Sequence, residues 1–198
     1  STVEQDAMSH GHHYDVSRLP RMKDPGRLND LPPEVIWGVV GGPHVQCLID
    51  LGSGPGVFAL HFAGKLPQGV VYAADLAPEA LAMVAQDSAA AGVTNVIPVR
   101  TGAVYVPLPD QTADVVIEIN LHHHLADQLG SLREAHRLLK PGGTMAIIDW
   151  KREDTPSGPP QEMRCDVDKV HAQLEQTPFS GVQVHDVLPY AFFLTAKK

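Results

Sequence analysis

Cysteine, aromatic residues and long apolar runs are all scarce in this chain of 198 residues. Its two cysteines, Cys47 and Cys165, lie far apart in sequence and provide neither a disulfide framework nor a zinc quartet. No run approaches the roughly 20 apolar residues that a membrane-spanning helix needs, and no secretory signal pattern is recognisable. We therefore expect a cytoplasmic protein without membrane association.

Positive charge is also in short supply. Lysine and arginine number 15 against 23 aspartate and glutamate residues, which gives a net charge of −8 and disfavours nucleic acid as a partner. The length allows one domain with a real core, but not a dinucleotide-binding domain followed by a separate substrate domain. We expect a monomer or a homodimer, between which the sequence does not distinguish.

The most informative feature is the glycine-rich run IDLGSGPG at residues 49–56. It follows a short apolar strand and precedes a predicted helix, so backbone N–H groups are free to face a ligand over the C-terminal end of the strand. A second apolar run ends in Asp75, where a carboxylate is well placed to accept hydrogen bonds from a ribose diol. Together these features predict a site for a nucleoside cofactor.

The spacing of the glycines distinguishes between cofactors. A dinucleotide-binding G-x-G-x-x-G fingerprint requires a glycine where this chain has Val57. Asp50, directly before this turn, would repel a pyrophosphate but attract a ligand that carries an amino group and a sulfonium. The motif favours S-adenosylmethionine (SAM) over NAD, with a ligand-free strand–helix connection as the remaining alternative.

Strand and helix signals alternate along the chain, which predicts a parallel sheet covered by helices on both faces. The predicted strands span residues 45–51, 70–75, 96–100, 114–120 and 144–150, and the predicted helices span residues 35–40, 57–66, 78–91 and 127–139. Pro98 removes a backbone donor from the third strand, which therefore belongs at a sheet edge. Residues 182–187 and 190–196 are joined by only two residues and are predicted to form an antiparallel hairpin.

The chain resembles class I SAM-dependent methyltransferases, in the branch that includes quinone-biosynthesis and arsenite methyltransferases. The matching stretches are residues 49–56, 72–79, 107–116, 120–125 and 134–143. The resemblance implies an α/β fold: a Rossmann-like three-layer αβα sandwich with a seven-stranded, mostly parallel sheet of order 3-2-1-4-5-7-6 and strand 7 antiparallel. We expect residues 1–30 to form a partly flexible N-terminal lid and residues 31–198 to form a single methyltransferase domain.

Carried over position by position, the resemblance implies a set of cofactor-binding residues. Asp50 would lie near the methionine amino group, Asp75 would accept hydrogen bonds from the ribose, and Leu76 would pack on the adenine. Further contacts are implied for Gly52, Ser53, Gly54, Gly56, Asn120 and Leu121. The family usually has an acidic residue near position 102; here backbone groups of Gly102 and Ala103 would replace it, or affinity would fall by about 0.5–1.5 kcal/mol.

Methyl transfer from a sulfonium needs alignment, exclusion of water and, for some acceptors, removal of a proton. Three histidines at residues 122–124 follow the fourth strand, at the sheet edge where ligands bind in open α/β folds. We predict His123 or His124 as the base, with a packing role as the alternative. Tyr14 is expected to contact the cofactor from the lid and to shield the sulfonium, or else only to pack.

Other polar residues leave alternatives open. His10, His12 and His13 could form a metal site with residues 122–124, although we predict no metal. Asp149 and Trp150 either wall the acceptor pocket or serve as a loop cap and a core residue. The sequence predicts transfer of a methyl group from SAM to a small-molecule acceptor. The alternatives are a non-catalytic SAM-binding scaffold and, less favoured, an NAD-dependent oxidoreductase.

Overall fold

The computed structural model describes residues 15–198, in which helices and strands alternate as predicted. The strands are β1 Cys47–Leu51, β2 Val70–Asp75, β3 Val96–Arg100, β4 Ala113–Ile119, β5 Leu139–Trp150, β6 Ser180–Val184 and β7 Ala191–Lys197. The α-helices are α1 Leu19–Met22, α2 Gly26–Asp30, α3 Pro33–Val40, α4 Val57–Ala63, α5 Pro78–Ala90, α6 Gln128–Leu138 and α7 Val167–Glu175. A short 3-10 turn at His122–His124 follows β4.

The strands form one sheet of order β3-β2-β1-β4-β5-β7-β6. Strands β1 to β5 are parallel, whereas β7 runs antiparallel to both β5 and β6. The predicted strand order is therefore confirmed, as are the edge position of the strand that contains Pro98 and the antiparallel hairpin. This topology brings the C-terminal ends of β1, β2, β4 and β5 to one edge of the sheet, where the candidate site lies.

Two apolar clusters cover the two faces of the sheet. One contains side chains from α3, α4 and α5, including the fully buried Ile36 and Phe62, and the other contains side chains from α6 and α7, including Leu132 and Leu174. Because both faces are covered, every residue of β1 is buried. The three-layer sandwich predicted from the sequence is confirmed, and Asp50 is the one charged residue of β1.

Several predicted element boundaries were wrong. Strand β5 begins at Leu139 rather than at residue 144, because its register against β4 shifts between Ala113 and Val115 and residues 140–143 loop outward. Helix α4 ends at Ala63 rather than at residue 66, since Gly64 and the following turn leave the helix. Strand β6 ends at Val184 rather than at residue 187. Leu188, which the sequence placed in the two-residue connection, is buried in the cluster that contains α3.

The motif at residues 134–143 has a structural role. The Arg137 guanidinium donates to the carbonyl oxygens of Val106 and Leu108 at 2.9 and 2.8 Å, and the Glu134 carboxylate accepts from the Val106 N–H at 2.7 Å. These bonds satisfy backbone groups in the long loop that precedes β4. Helix α6 therefore fixes the path of that loop and takes no part in the candidate site.

Candidate cofactor and acceptor site

The glycine-rich loop connects β1 to α4 through three residues with left-handed backbone conformations. The φ angles of Gly52, Gly54 and Gly56 are 66°, 54° and 86°. A Cβ atom at Gly52 would lie 2.6 Å from Leu121 Cδ1, and one at Gly54 would lie 2.6 Å from Met22 Cε. Because the loop lies between the turn after β4 and helix α1, only glycine fits at these two positions.

Asp50 presents a buried carboxylate oxygen without a hydrogen-bond partner. The residue is 2% exposed, and its Oδ2 atom has no donor in the described structure. Burial and the neighbouring Asp75 carboxylate raise the pKa of Asp50 to about 8, while the Arg27 charge acts in the opposite direction. A buried acidic oxygen that lacks a donor suits a cationic ligand, such as the amino group of a methionine moiety.

Arg27 is a site residue that sequence reasoning missed. Its guanidinium donates to the Met22 carbonyl at 2.7 Å, lies 5.3 Å from the centre of the Phe58 ring and, with Asp50, lines a cavity of about 10 Å³. Burial lowers the pKa of Arg27, whereas the Asp50 charge raises it. The surrounding mixture of proline, glycine and charged residues carried no signal that this arginine would be buried.

Asp75 joins the ends of β1 and β2. Its Oδ2 accepts from the Gly54 N–H at 2.8 Å and its Oδ1 from the Ala77 N–H at 2.9 Å, with the residue 3% exposed. Burial raises the pKa of Asp75, and these backbone hydrogen bonds partly offset the effect. Each carboxylate oxygen keeps a further lone pair, which is what the predicted bonds from a ribose diol would use.

The predicted adenine contacts lie at the same sheet edge. Leu76 is 47% exposed directly after β2, and is therefore accessible for packing against a planar ring. The Gly102 N–H donates to the Tyr105 carbonyl at 2.9 Å, so this donor is already engaged. The backbone groups left to meet an adenine amino group are the carbonyl oxygens of Gly102 and Ala103.

The histidine turn after β4 contains a histidine–carboxylate pair. His123 Nδ1 lies 2.8 Å from Asp149 Oδ1, and the His123 backbone N–H donates to Asp149 Oδ2 at 2.9 Å. Since a carboxylate favours a proton on Nδ1, His123 Nε2 is left as an acceptor. His124 is exposed and its ring centre lies 3.9 Å from that of His123.

A larger cavity of about 250 Å³ is lined by residues from α2 and from the ends of β4 and β5. Its lining includes Arg27, Asp30, Asn120, Trp150, Ser157 and Tyr190. Asn120 has a φ of 55°, rare for a residue other than glycine, and its buried Oδ1 has no hydrogen-bond partner. Backbone strain and an unpaired polar atom at a cavity wall are typical of a functional position.

The alternatives for Asp149 and Trp150 are now separated. Trp150 lines the cavity, as expected of a residue that walls an acceptor pocket. Asp149 does not line it: this residue is fully buried and caps the histidine turn. Asp149 therefore takes the capping alternative, whereas an acceptor-binding role for Trp150 stays a prediction; the two differ because adjacent residues of β5 point to opposite faces.

The remaining predictions concern the lid residues and His122. Tyr14, His10, His12 and His13 lie outside the described residues. His122 is fully buried with both ring nitrogens bonded within the protein, so it is unavailable as a metal ligand. Across residues 15–198, no group of three or more acidic, cysteine or histidine side chains could hold a metal ion. None of the helices in that range is long and apolar enough to cross a membrane.

The fold and the candidate site together define an α/β protein with a predicted nucleoside-cofactor site at one edge of its sheet. Comparison with known proteins identifies the family. Residues 49–147 match the family model described as a methyltransferase domain. A SAM-dependent methyltransferase from Aquifex aeolicus superposes with a TM-score of 0.88 at 30% sequence identity, over 93% of this chain and 98% of that chain. The chain belongs to the SAM-dependent methyltransferase family, and the predicted family, fold and cofactor are confirmed.

The curated relatives differ in what their names say they act on. The demethylmenaquinone methyltransferase of Thermus thermophilus is 31% identical, over 52% of this chain and 46% of that protein. The release factor glutamine methyltransferase of Gloeobacter violaceus is 29% identical, over 50% of this chain and 44% of that protein. The chain spans less than half the length of these relatives, which include both small-molecule and protein methyltransferases by name.

Proposed function

We propose that this chain transfers the methyl group of SAM to a small-molecule acceptor by in-line displacement. The observation that carries the proposal is the buried, unpartnered Asp50 Oδ2 beside the glycine loop, with a separate cavity of about 250 Å³ at the same sheet edge. Small-molecule sites typically have volumes of about 300–1,000 Å³, so this cavity suits a compact acceptor. The Thermus relative's name likewise describes an acceptor that is not a protein, demethylmenaquinone.

The residues present fit the cofactor. Asp50 would pair with its amino group, the backbone of Gly52 and Gly54 would approach its methionine chain, and Asp75 would bind its ribose. When bound, SAM supplies an electrophilic methyl group on a sulfonium, so the protein has to align the partners and exclude water. Leu76 would cover one face of the adenine.

His123 would receive the proton that an acceptor hydroxyl or ammonium group must lose. Asp149 holds the proton on Nδ1 and leaves Nε2 as the base. The His123 side chain is 4% exposed, so proton transfer would take place away from bulk water. Asn120 and Trp150 line the cavity and are near neighbours in sequence of this pair, and the Asn120 side-chain oxygen would orient the acceptor.

Contacts of helices α1 and α2 support the proposal that this segment is a lid over the cofactor. Met22 lies against Gly54, and Arg27 lines the cavity of about 10 Å³ beside Asp50, a space that holds no more than one water molecule. Helices α1 and α2 would therefore have to move before the cofactor can enter. We accordingly retain residues 1–30 as a lid, and a cytoplasmic monomer or homodimer as the setting.

Calorimetric titration with SAM, S-adenosylhomocysteine and NAD tests the cofactor part of this proposal. We expect saturable binding of both adenosyl ligands, no binding of NAD, and loss of binding in Asp75→Ala. Asp110→Asn, which changes an exposed carboxylate outside the predicted cofactor contacts, is the matched control. Thermal denaturation of each variant verifies folding. Absence of adenosyl-ligand binding at millimolar concentration would reject the proposal, and NAD binding would favour the oxidoreductase alternative.

A screen of small hydroxylated and amine compounds with radiolabelled SAM tests the acceptor. Label transfer to a small molecule supports the proposal. Transfer only to protein, as with the release factor methyltransferases, would overturn the small-molecule assignment. Tight SAM binding without transfer to any acceptor would favour the scaffold alternative.

A further inference from the structure

A second buried acid–histidine pair, separate from Asp149 and His123, lies behind the histidine turn. Glu118 and His122 are both 0% exposed, and His122 Nδ1 lies 3.1 Å from Glu118 Oε2. On the other side of the ring, His122 Nε2 lies 2.8 Å from Gln173 Oε1. The Gln173 amide donates to Gln128 Oε1 at 2.7 Å, and the Gln128 amide donates to the His122 carbonyl at 3.0 Å.

The donor and the acceptor of every hydrogen bond in this series follow from the last acceptor, the backbone carbonyl of His122. A backbone carbonyl can only accept, so Gln128 must present its NH2 group to His122 and its oxygen to Gln173. Gln173 must then donate to Gln128 and turn its own oxygen toward the imidazole. His122 Nε2 is left with an acceptor and must therefore carry a proton. The bonds close a ring that begins and ends on His122.

The other ring nitrogen of His122, Nδ1, faces the Glu118 carboxylate, which favours a second proton on the imidazole ring. Burial lowers the pKa of His122, but the hydrogen bond and charge of Glu118, the bond to Gln173 and the charge of Asp149 together leave it raised. These groups belong to the elements packed around the ring: Glu118 on β4, Asp149 on β5 and Gln173 on α7. A neutral imidazole could not donate to two acceptors at once.

We propose that His122 is a positioning residue, an imidazolium protonated on both nitrogens, whose closed ring of hydrogen bonds fixes the 122–124 turn and so aims His123 at the acceptor. The ring joins α6 and α7 to the end of β4, and thus ties the turn to two helices outside the site. Its positive charge is matched locally by Glu118, which leaves Asp149 as the carboxylate partner of His123. The protonation state stands on the hydrogen-bond geometry; the kinetic consequence rests on the proposed function.

Nitrogen-15 NMR of the wild-type protein, labelled on histidine, tests the protonation state without any variant or substrate. We expect His122 to show two protonated ring nitrogens. In the neutral form of His123, the proton should lie on Nδ1. An unprotonated Nδ1 on His122 would overturn the proposal, because it would place the proton on Glu118. His122→Gln identifies the resonances.

Gln128→Leu opens the ring without altering either histidine, and Gln176→Leu makes the same change at an exposed position next to the end of α7. We expect kcat to fall about tenfold in the first variant through misalignment of His123. The affinity for SAM should stay unchanged, and Gln176→Leu should behave as wild type. Unchanged kcat and unchanged His122 resonances in Gln128→Leu would overturn the positioning role. If the protein transfers no methyl group, the NMR result still decides the state of His122.

Discussion

Two pairs of buried carboxylates lie at the same edge of the sheet and differ in how their charge is met. Asp75, at the end of β2, accepts hydrogen bonds from two backbone N–H groups. Asp50, within β1, has the charge of Arg27 nearby, and its Oδ2 has no partner among the described residues. Glu118 and Asp149, on β4 and β5, each face a histidine ring at hydrogen-bond distance. Of these two pairs, the first has a carboxylate oxygen, Asp50 Oδ2, that could still bind a cation.

The difference shows how one fold separates binding from proton transfer. Burying a carboxylate without a matching charge is costly, so the Asp50 site is poised to gain from a cationic ligand. A carboxylate paired with a histidine inside the protein gains little from a ligand, but it fixes the tautomer and orientation of that histidine. We therefore expect changes at the first pair to alter binding and changes at the second to alter turnover.

The largest effect is expected from His123→Gln. Loss of the base should lower kcat by about 10²–10⁴-fold, because general acid–base catalysis contributes that much, with the affinity for SAM unchanged. Steady-state kinetics with a hydroxyl or amine acceptor and calorimetry with SAM measure the two quantities. His124→Gln is the neighbouring comparison, and a loss confined to that variant would instead assign the base to His124.

Asp50→Asn should weaken SAM binding by about 30-fold or more, since removing one partner of a buried charge pair costs about 2–5 kcal/mol. Calorimetry on the purified variant measures this, with Asp110→Asn as an exposed control. The kcat at saturating SAM should change far less than the affinity. Equal affinity in Asp50→Asn and wild type would remove Asp50 from the site.

The cofactor-free stability should depend on pH through Asp50. Its pKa is raised to about 8 in the folded protein, above the ordinary value near 4 of the unfolded chain. Its contribution to the free energy of unfolding is thus fully present below about pH 4 and is lost as the pH rises toward 8, on the order of 1 kcal/mol per pH unit. An amide at this position cannot ionise, so Asp50→Asn should gain stability over wild type across this range. Parallel denaturation midpoints at pH 5, 6.5 and 8 would contradict this.

The smallest effect is expected from Ser131→Ala. The Ser131 hydroxyl donates to Glu118 Oε1 at 3.5 Å, the limit of a hydrogen bond, whereas His122 already holds the other oxygen. We expect a loss of less than about 1 kcal/mol in the free energy of unfolding, measured by chemical denaturation. A larger loss would show that the charge of Glu118 is met less completely by His122 than its geometry indicates.

Much of the fold and half of the site could be predicted from local sequence. The parallel sheet was predicted from alternating strand and helix signals, and its edge strand and hairpin from Pro98 and the short final connection. The nucleoside-cofactor site was predicted from the glycine run with Asp50 and Asp75. The errors fall at the ends of elements: β5 begins earlier, at Leu139, across a register shift against β4, and β6 ends earlier, at Val184. Arg27 escaped prediction because nothing in its neighbours indicates burial.

The sequence by itself determined the alternation of strands and helices, the edge position of the Pro98 strand and the final hairpin, because turn chemistry and the periodicity of apolar residues act over a few positions. The full strand order came from the family resemblance. Only the tertiary structure decided which polar side chains meet. His123 pairs with Asp149 across 26 residues and His122 with Gln173 across 51. These pairings exist because β4 and β5 end at the same edge of the sheet and α7 packs against α6 on one face of it. A hydrogen bond depends on its angle and on a donor–acceptor distance that is fixed to within a few tenths of an ångström, and no local pattern encodes that geometry.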